Sequence, residues 1–200
     1  MTSRQTAGIL DVPLNSRRRA VGWSKFLGAL AFAVVLIGLS IGLDSLGLTT
    51  FGPGTYRVID GDSLRRGNQD IRLFGIDAPE AKQSCNDGQG TSYKCGEEAT
   101  NALKLLVTGK SIECQSQGKD KYDRHLAVCR FQDLEINREM IRQGWAVAYD
   151  KHGFSYVLAE RDARKAQRGM WYGDFEMPED YRARNRKAQG NVLGPAEFDE

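Results

Sequence analysis

Residues Ile71 to Glu80 read IRLFGIDAPE, and just upstream Val58 to Ser63 read VIDGDS. Arg72 to Ile76 has the apolar, branched character of a strand, yet Asp60, Asp62, Asp77 and Glu80 crowd around it. Strands do not gather acids unless turns or a site require them. Asp60-Gly61-Asp62 reads as a turn between Tyr56–Ile59 and Ser63–Arg65, and Arg66-Gly67-Asn68 as the turn into a third strand, Ile71–Ile76. Downstream, Ala99, Ala102, Leu103 and Leu106 recur at helical spacing within Glu97–Val107, which stops at Gly109. Ile112–Gln115 and Leu126–Phe131 form a hairpin, and helices follow at Asn137–Gln143 and Ser155–Gln167, with Trp171 as a core plug. Short strands followed by helices, with few long crossovers, point to a small α+β domain built on a β-barrel.

The chain has 200 residues, enough for one domain with appendages. Its 28 basic and 26 acidic residues leave a net charge of +2, so any surface that attracts nucleic acid must be local. Arg17-Arg18-Arg19 and Lys25 precede Phe26–Leu43, FLGALAFAVVLIGLSIGL, which carries no charge. At the helical rise this run reaches about 27 Å, close to the hydrocarbon thickness of a bilayer. A transmembrane anchor over 26–48 is expected, with residues 1–25 cytoplasmic and the remainder exported. The rival is a cleaved signal peptide, for which Gly38-Leu39-Ser40 is a poor cleavage site because it lies inside the apolar run. Residues 49–55 read as a linker, the folded domain as 56–175, and 176–200 as a charged, flexible tail.

Cys85, Cys95, Cys114 and Cys129 all follow the apolar run, as export favours. Three pairings are open to four cysteines. The hairpin would set Cys114 opposite Cys129 and leave Cys85 to clip a loop with Cys95. Zinc is the competing use, but no C-x-x-C spacing occurs and His125 and His152 are the only histidines.

Asp62 and Asp77 stand at strand ends where their oxygens could meet a hard divalent cation. Glu80 follows Pro79 and is placed to take a proton from water, while Arg72 and Arg124 can each present a fork of donors to phosphate. Singly these are ordinary features, since an Asp-Gly-Asp is usually a turn and a strand arginine is usually solvated. Together they are the parts for phosphodiester cleavage.

VIDGDS, RLFGIDAPE, KYDRHLA (121–127) and REMIRQGWAVAY (138–149) resemble the thermonuclease family, of staphylococcal-nuclease-like fold, over about Tyr56 to Trp171. That resemblance implies a five-stranded OB-type β-barrel with three helices, and calcium-dependent hydrolysis of DNA or RNA by a monomer. It implies that Asp62, Asp77 and the Ala78 backbone carbonyl bind calcium, that Glu80 activates water, and that Arg72 and Arg124 hold and polarise the phosphate. Lys121, Tyr122 and Tyr149 would line the substrate groove. Combined with the apolar run, the expectation is a nuclease in the inner membrane of a bacterium, its catalytic domain periplasmic or extracytoplasmic. The alternative is a non-catalytic nucleic-acid- or protein-binding module of the same fold. Two positions depart from the family pattern. Ala78 replaces the usual threonine where only the backbone is needed, and Asp123 replaces a frequent glycine, where its carboxylate is expected to pair with Arg124 and lower activity.

Overall fold

Along Ile112–Lys119, Ile112, Cys114 and Ser116 are buried while Glu113, Gln115 and Gln117 are exposed, the period-two pattern of a strand with one face on a core. The computed structural model describes residues 23–45, 50–149 and 156–192. The chain divides after Ile41 into two compact units.

Helix α1 (Trp23–Ser45) accounts for the described part of the first unit and runs to the start of the second. Its large side chains from Leu27 to Leu39 are exposed, including Leu30, Phe32, Val35 and Ile37. No helix among the described residues is long and apolar enough to cross a membrane; within α1 only residues 27–39 have described side chains. The basic cluster Arg17–Arg19 lies outside the described residues.

The second unit opens with β1 (Thr50–Gly54), β2 (Arg57–Val58), β3 (Ser63–Arg66), β4 (Gln69–Leu73) and β5 (Ile76–Asp77). A small hairpin, β6 (Cys85–Asn86) and β7 (Ser92–Tyr93), leads to α2 (Cys95–Val107), followed by β8 (Ile112–Lys119), β9 (His125–Phe131) and β10 (Leu134–Glu135). Then come α3 (Ile136–Arg142), β11 (Val147–Ala148), α4 (Val157–Lys165), a 3-10 turn at Gly169–Tyr172 and α5 (Pro178–Val192). The main sheet runs β1-β8-β9-β4-β3-β2, with β10 on β9. All its pairs are antiparallel except β4 with β9.

The α+β class stands as read from the sequence. Among the described residues the main sheet counts seven strands, in a path from β1 to β2, where a five-stranded barrel is expected from the sequence. One added strand is β1, whose glycines and Pro53 give it the composition of a linker. Phe51 is buried there edge-to-face on His125, ring centroids 4.8 Å apart, opposite Cys114 of β8. Burying that ring holds the segment as an edge strand, where a proline is tolerated. The other addition is the two-residue β10.

Both cystines form as the hairpin reading set them out. Cys114 faces Cys129 across β8 and β9, and Cys85 joins Cys95. The first lies in the main core with Leu64, Ile71, Leu103, Ile112 and Met140. The second anchors a smaller cluster with Val147 and Met170, against which Trp171, expected as a core plug, is only partly buried. Within 176–200, expected to be a charged, flexible tail, residues 178–192 form helix α5, and 193–200 lie outside the described residues. Pro178 at its first position, Glu179 and Asp180 in its first turn and the arginines beyond are a strong helix start.

Candidate active site

Three local devices bring the acids and Arg72 together. In the turn before β3, the Asp60 carboxylate accepts the Asp62 backbone N–H at 3.1 Å, which turns Asp62 inward, where it is buried. β5 pairs with β11, Asp77 opposite Val147, and this fixes the second aspartate one strand away. The Ala78 backbone N–H then donates to Asp62 Oδ2 at 3.0 Å, tying the two acidic segments to each other. From β4, Arg72 spans both carboxylates, Nη1 to Asp62 Oδ1 at 2.8 Å and Nη2 to Asp77 Oδ1 at 2.7 Å. Burial pushes the Asp62 carboxyl up to about 7, against the downward pull of Arg72. Two buried carboxylates therefore share one arginine from β4, and the pocket favours a further cation.

The parallel pairing of β4 with β9 sets Ile71 beside His125, so Arg72 and Arg124, distant in sequence, reach one cleft of about 650 Å³. Asp62, Glu80, Lys121, Tyr122 and Tyr149 also line it. Tyr149 is brought there by its backbone N–H, which donates to the Gly75 carbonyl at 2.9 Å. Tyr122 is exposed, with the Lys121 ammonium 5.0 Å and the Arg124 guanidinium 5.6 Å from its ring centre. An exposed ring flanked by cations suits stacking on a base beside a phosphate.

The expected pairing of Asp123 with Arg124 does not occur. Arg124 pairs with Asp120, Nη2 to Oδ2 at 2.7 Å and Nε to Oδ2 at 2.8 Å. The other oxygen of Asp120 caps the turn, accepting the backbone N–H of Tyr122 at 2.9 Å and of Arg124 at 3.1 Å. Burial draws the Asp120 carboxyl upward, but these bonds outweigh it and hold the group below its ordinary range. Asp123 sits at the apex with a φ of 63° and points to Lys119, 2.9 Å away. A positive φ is where glycine is at ease, which explains the family's frequent glycine without reference to Arg124. Asp123→Gly should therefore leave cleavage within about two-fold of the parent, because the pair it removes is exposed and weak. It should raise stability by about 1 kcal/mol, as relief of left-handed strain. Steady-state kinetics and urea denaturation check both.

Two side chains of the site went unrecognised in the sequence. Gln83 is fully buried; its Oε1 accepts the Glu80 backbone N–H at 3.2 Å and its Nε2 donates to the Glu176 carbonyl at 2.7 Å. It thus ties the Glu80 loop to the segment entering α5. Gly96 at the start of α2 lies so close that a Cβ there would stand 1.9 Å from the Glu80 carbonyl oxygen. The second side chain is Arg182 of α5. Its Nη1 reaches Asp77 Oδ1 at 2.9 Å and Glu80 Oε1 at 3.0 Å, and its Nη2 reaches Asp77 Oδ2 at 2.8 Å. Gln83→Leu should lower stability by about 1–3 kcal/mol, because two partly buried backbone groups lose their partners. Urea denaturation of parent and variant measures it.

Comparison with known proteins adds a family to this geometry. Residues 70–173 match the model described as "Staphylococcal nuclease homologue". The chain belongs to that family. It is 34% identical over 121 residues to the succinoglycan biosynthesis protein ExoI of Rhizobium meliloti, covering 59% of this chain and 63% of that one. It is 35% identical over 122 residues to an uncharacterized endonuclease of Haemophilus influenzae, covering 58% and 63%. It is 31% identical over 153 residues to a probable staphylococcal-like nuclease, CAN3, of Oryza sativa, covering 73% and 37%. The chain thus spans less than two thirds of the length of these relatives.

Carboxylate oxygens are the ligands of hard cations, and the donor set of Asp62, Asp77 and the Ala78 carbonyl fits the calcium that the family resemblance implies. Among the described residues, however, no three acidic, histidine or cysteine side chains stand together as a metal cluster. Arg72 and Arg182 between them engage both oxygens of Asp77.

Proposed function

We propose that this protein is a calcium-dependent nuclease that hydrolyses phosphodiester bonds of DNA or RNA. The observation that carries this reading is the convergence of Asp62, Arg72, Glu80 and Arg124 on one cleft, with Asp77 hydrogen-bonded to Arg72 at its wall. Membership of the nuclease-homologue family and relatives described as nucleases support it. Asp62, Asp77 and the Ala78 carbonyl would hold the cation, which when bound withdraws charge from the phosphate. Glu80 takes the proton from the attacking water, and Arg72 and Arg124 orient the phosphate and stabilise the charge that builds on its oxygens. Tyr122 and Lys121 seat the flanking nucleotide.

The same protein is tethered to a membrane, with its catalytic unit on the exported face. Support for this is the uncharged run Phe26–Leu43, the basic residues before it, the exposed apolar side chains of α1 and the two cystines. Incubating the full chain with labelled single-stranded DNA and RNA in calcium tests the activity. Internal cuts are expected, and an oligonucleotide bound but left whole would favour the binding-module reading. Retention in the membrane fraction after alkaline extraction tests the tether.

A further inference from the structure

Helix α5 meets the active site through Arg182. Besides the three bonds of Arg182, the Tyr181 hydroxyl donates to the Lys82 carbonyl at 3.3 Å. Arg184 pairs with Glu176 at 2.8 Å, just outside the helix's own first turn. Of the described side chains of α5 only Pro178 is buried; Tyr181, Arg182, Ala183 and Asn185 are partly so, and the others are exposed. Arg182 itself is buried enough for its guanidinium to be sheltered, at 27% side-chain exposure, against 2% for Asp77.

Its position conflicts with the chemistry of the same groups. Asp77 Oδ1 accepts from both Arg72 and Arg182, and Oδ2 accepts from Arg182. Glu80 Oε1 is engaged by the same guanidinium nitrogen, Nη1, that reaches Asp77. A calcium ion on Asp77 would need one of those oxygens and would stand against a positive guanidinium in a poorly solvated pocket, where like charges repel strongly. At Asp77, Arg182 and a bound cation therefore compete for the same oxygens.

We infer that Arg182 is a built-in occupant of the divalent-cation site, and that cation binding displaces it and loosens α5 from the cleft. This rests on the calcium reading of the site. The chain without calcium is then held closed by its own helix, with its buried acids neutralised and Glu80 restrained. Calcium exchanges one cation for another, frees Glu80, and leaves α5 with the Tyr181 hydroxyl as its nearest tie to the Glu80 loop. A 15-residue helix so released is marginal in water and frays.

Calorimetric titration of calcium into the full chain in mild detergent, parent beside Arg182→Gln, tests the exchange. The variant should bind calcium at least about ten-fold more tightly, since it no longer gives up charge-assisted hydrogen bonds on binding. In the parent, amide hydrogen exchange across residues 180–188 should speed up when calcium is added. Equal or weaker binding by Arg182→Gln beside a parent that binds, or α5 exchange unchanged or slowed by calcium, overturns the inference and leaves the calcium reading standing. Absence of calcium binding by both proteins overturns the two together.

Discussion

Glu80→Gln should lower the rate of calcium-dependent cleavage by at least about 100-fold, since general-base catalysis commonly contributes 10² to 10⁴. Glutamine keeps the shape of the side chain and an oxygen that can still accept from Arg182, so the loop held by Gln83 and packed on Gly96 is undisturbed. What is lost is the capacity to take a proton. Near-ultraviolet circular dichroism and the melting temperature should match the parent. A variant rate within three-fold of the parent would remove Glu80 from the chemistry.

Arg72→Ala should have two effects of different origin. Loss of a donor fork aimed at the phosphate should cost about 10² to 10³ in rate, as for other groups that stabilise developing charge. The second effect is on stability, because Arg72 bridges two carboxylates that are nearly closed to solvent, at 5% and 2% side-chain exposure. Removing one partner of a buried pair typically costs about 3–5 kcal/mol. Arg182 still covers Asp77, so the exposed liability is Asp62, left with Ser63 Oγ at 3.0 Å and the Ala78 N–H.

The pH dependence of that deficit follows from linkage. The Asp62 carboxyl sits at about 7 in the folded parent, above its ordinary value of 3.8. Between those two values the folded state holds more protons than the unfolded state, so this group's contribution to stability is fully present below about 4 and is lost as pH rises toward 7. Without Arg72 the charged form is disfavoured still more, so the deficit of Arg72→Ala relative to the parent should be larger at pH 8 than at pH 5. Urea denaturation in chelator at the two pH values measures it. A deficit that shrinks as pH rises would mean that Asp62 is not the group left uncompensated.

Most of the site was legible in the sequence because its parts lie in two short motifs and one turn. Asp62, Arg72, Asp77 and Glu80 are set by local turns and by the pairing of β3 with β4 and of β5 with β11, and those turns are written in glycine, aspartate and proline. The pairing of Cys114 with Cys129 followed from reading one hairpin correctly. What misled was backbone direction and distance. Asp123 is adjacent to Arg124 in sequence, but its positive φ turns it toward Lys119, and Asp120, four residues before Arg124, takes the guanidinium. The strand at Thr50–Gly54 was hidden because one buried phenylalanine outweighs poor strand composition. Helix α5 is signalled by its proline and acidic first turn, but its charge pattern reads equally well as a charged, flexible tail. No local signal in that pattern says that Arg182 would meet Asp77, 105 residues away.

The most direct measurement is cleavage of supercoiled plasmid DNA by the full chain, with calcium and with calcium removed by chelator, followed on an agarose gel. With calcium the supercoiled band should pass to nicked, linear and then smaller products, and chelator should hold it intact. Plasmid that stays supercoiled in millimolar calcium, with a protein whose near-ultraviolet circular dichroism shows it folded, would contradict a nuclease built on Asp62, Arg72, Asp77, Glu80 and Arg124.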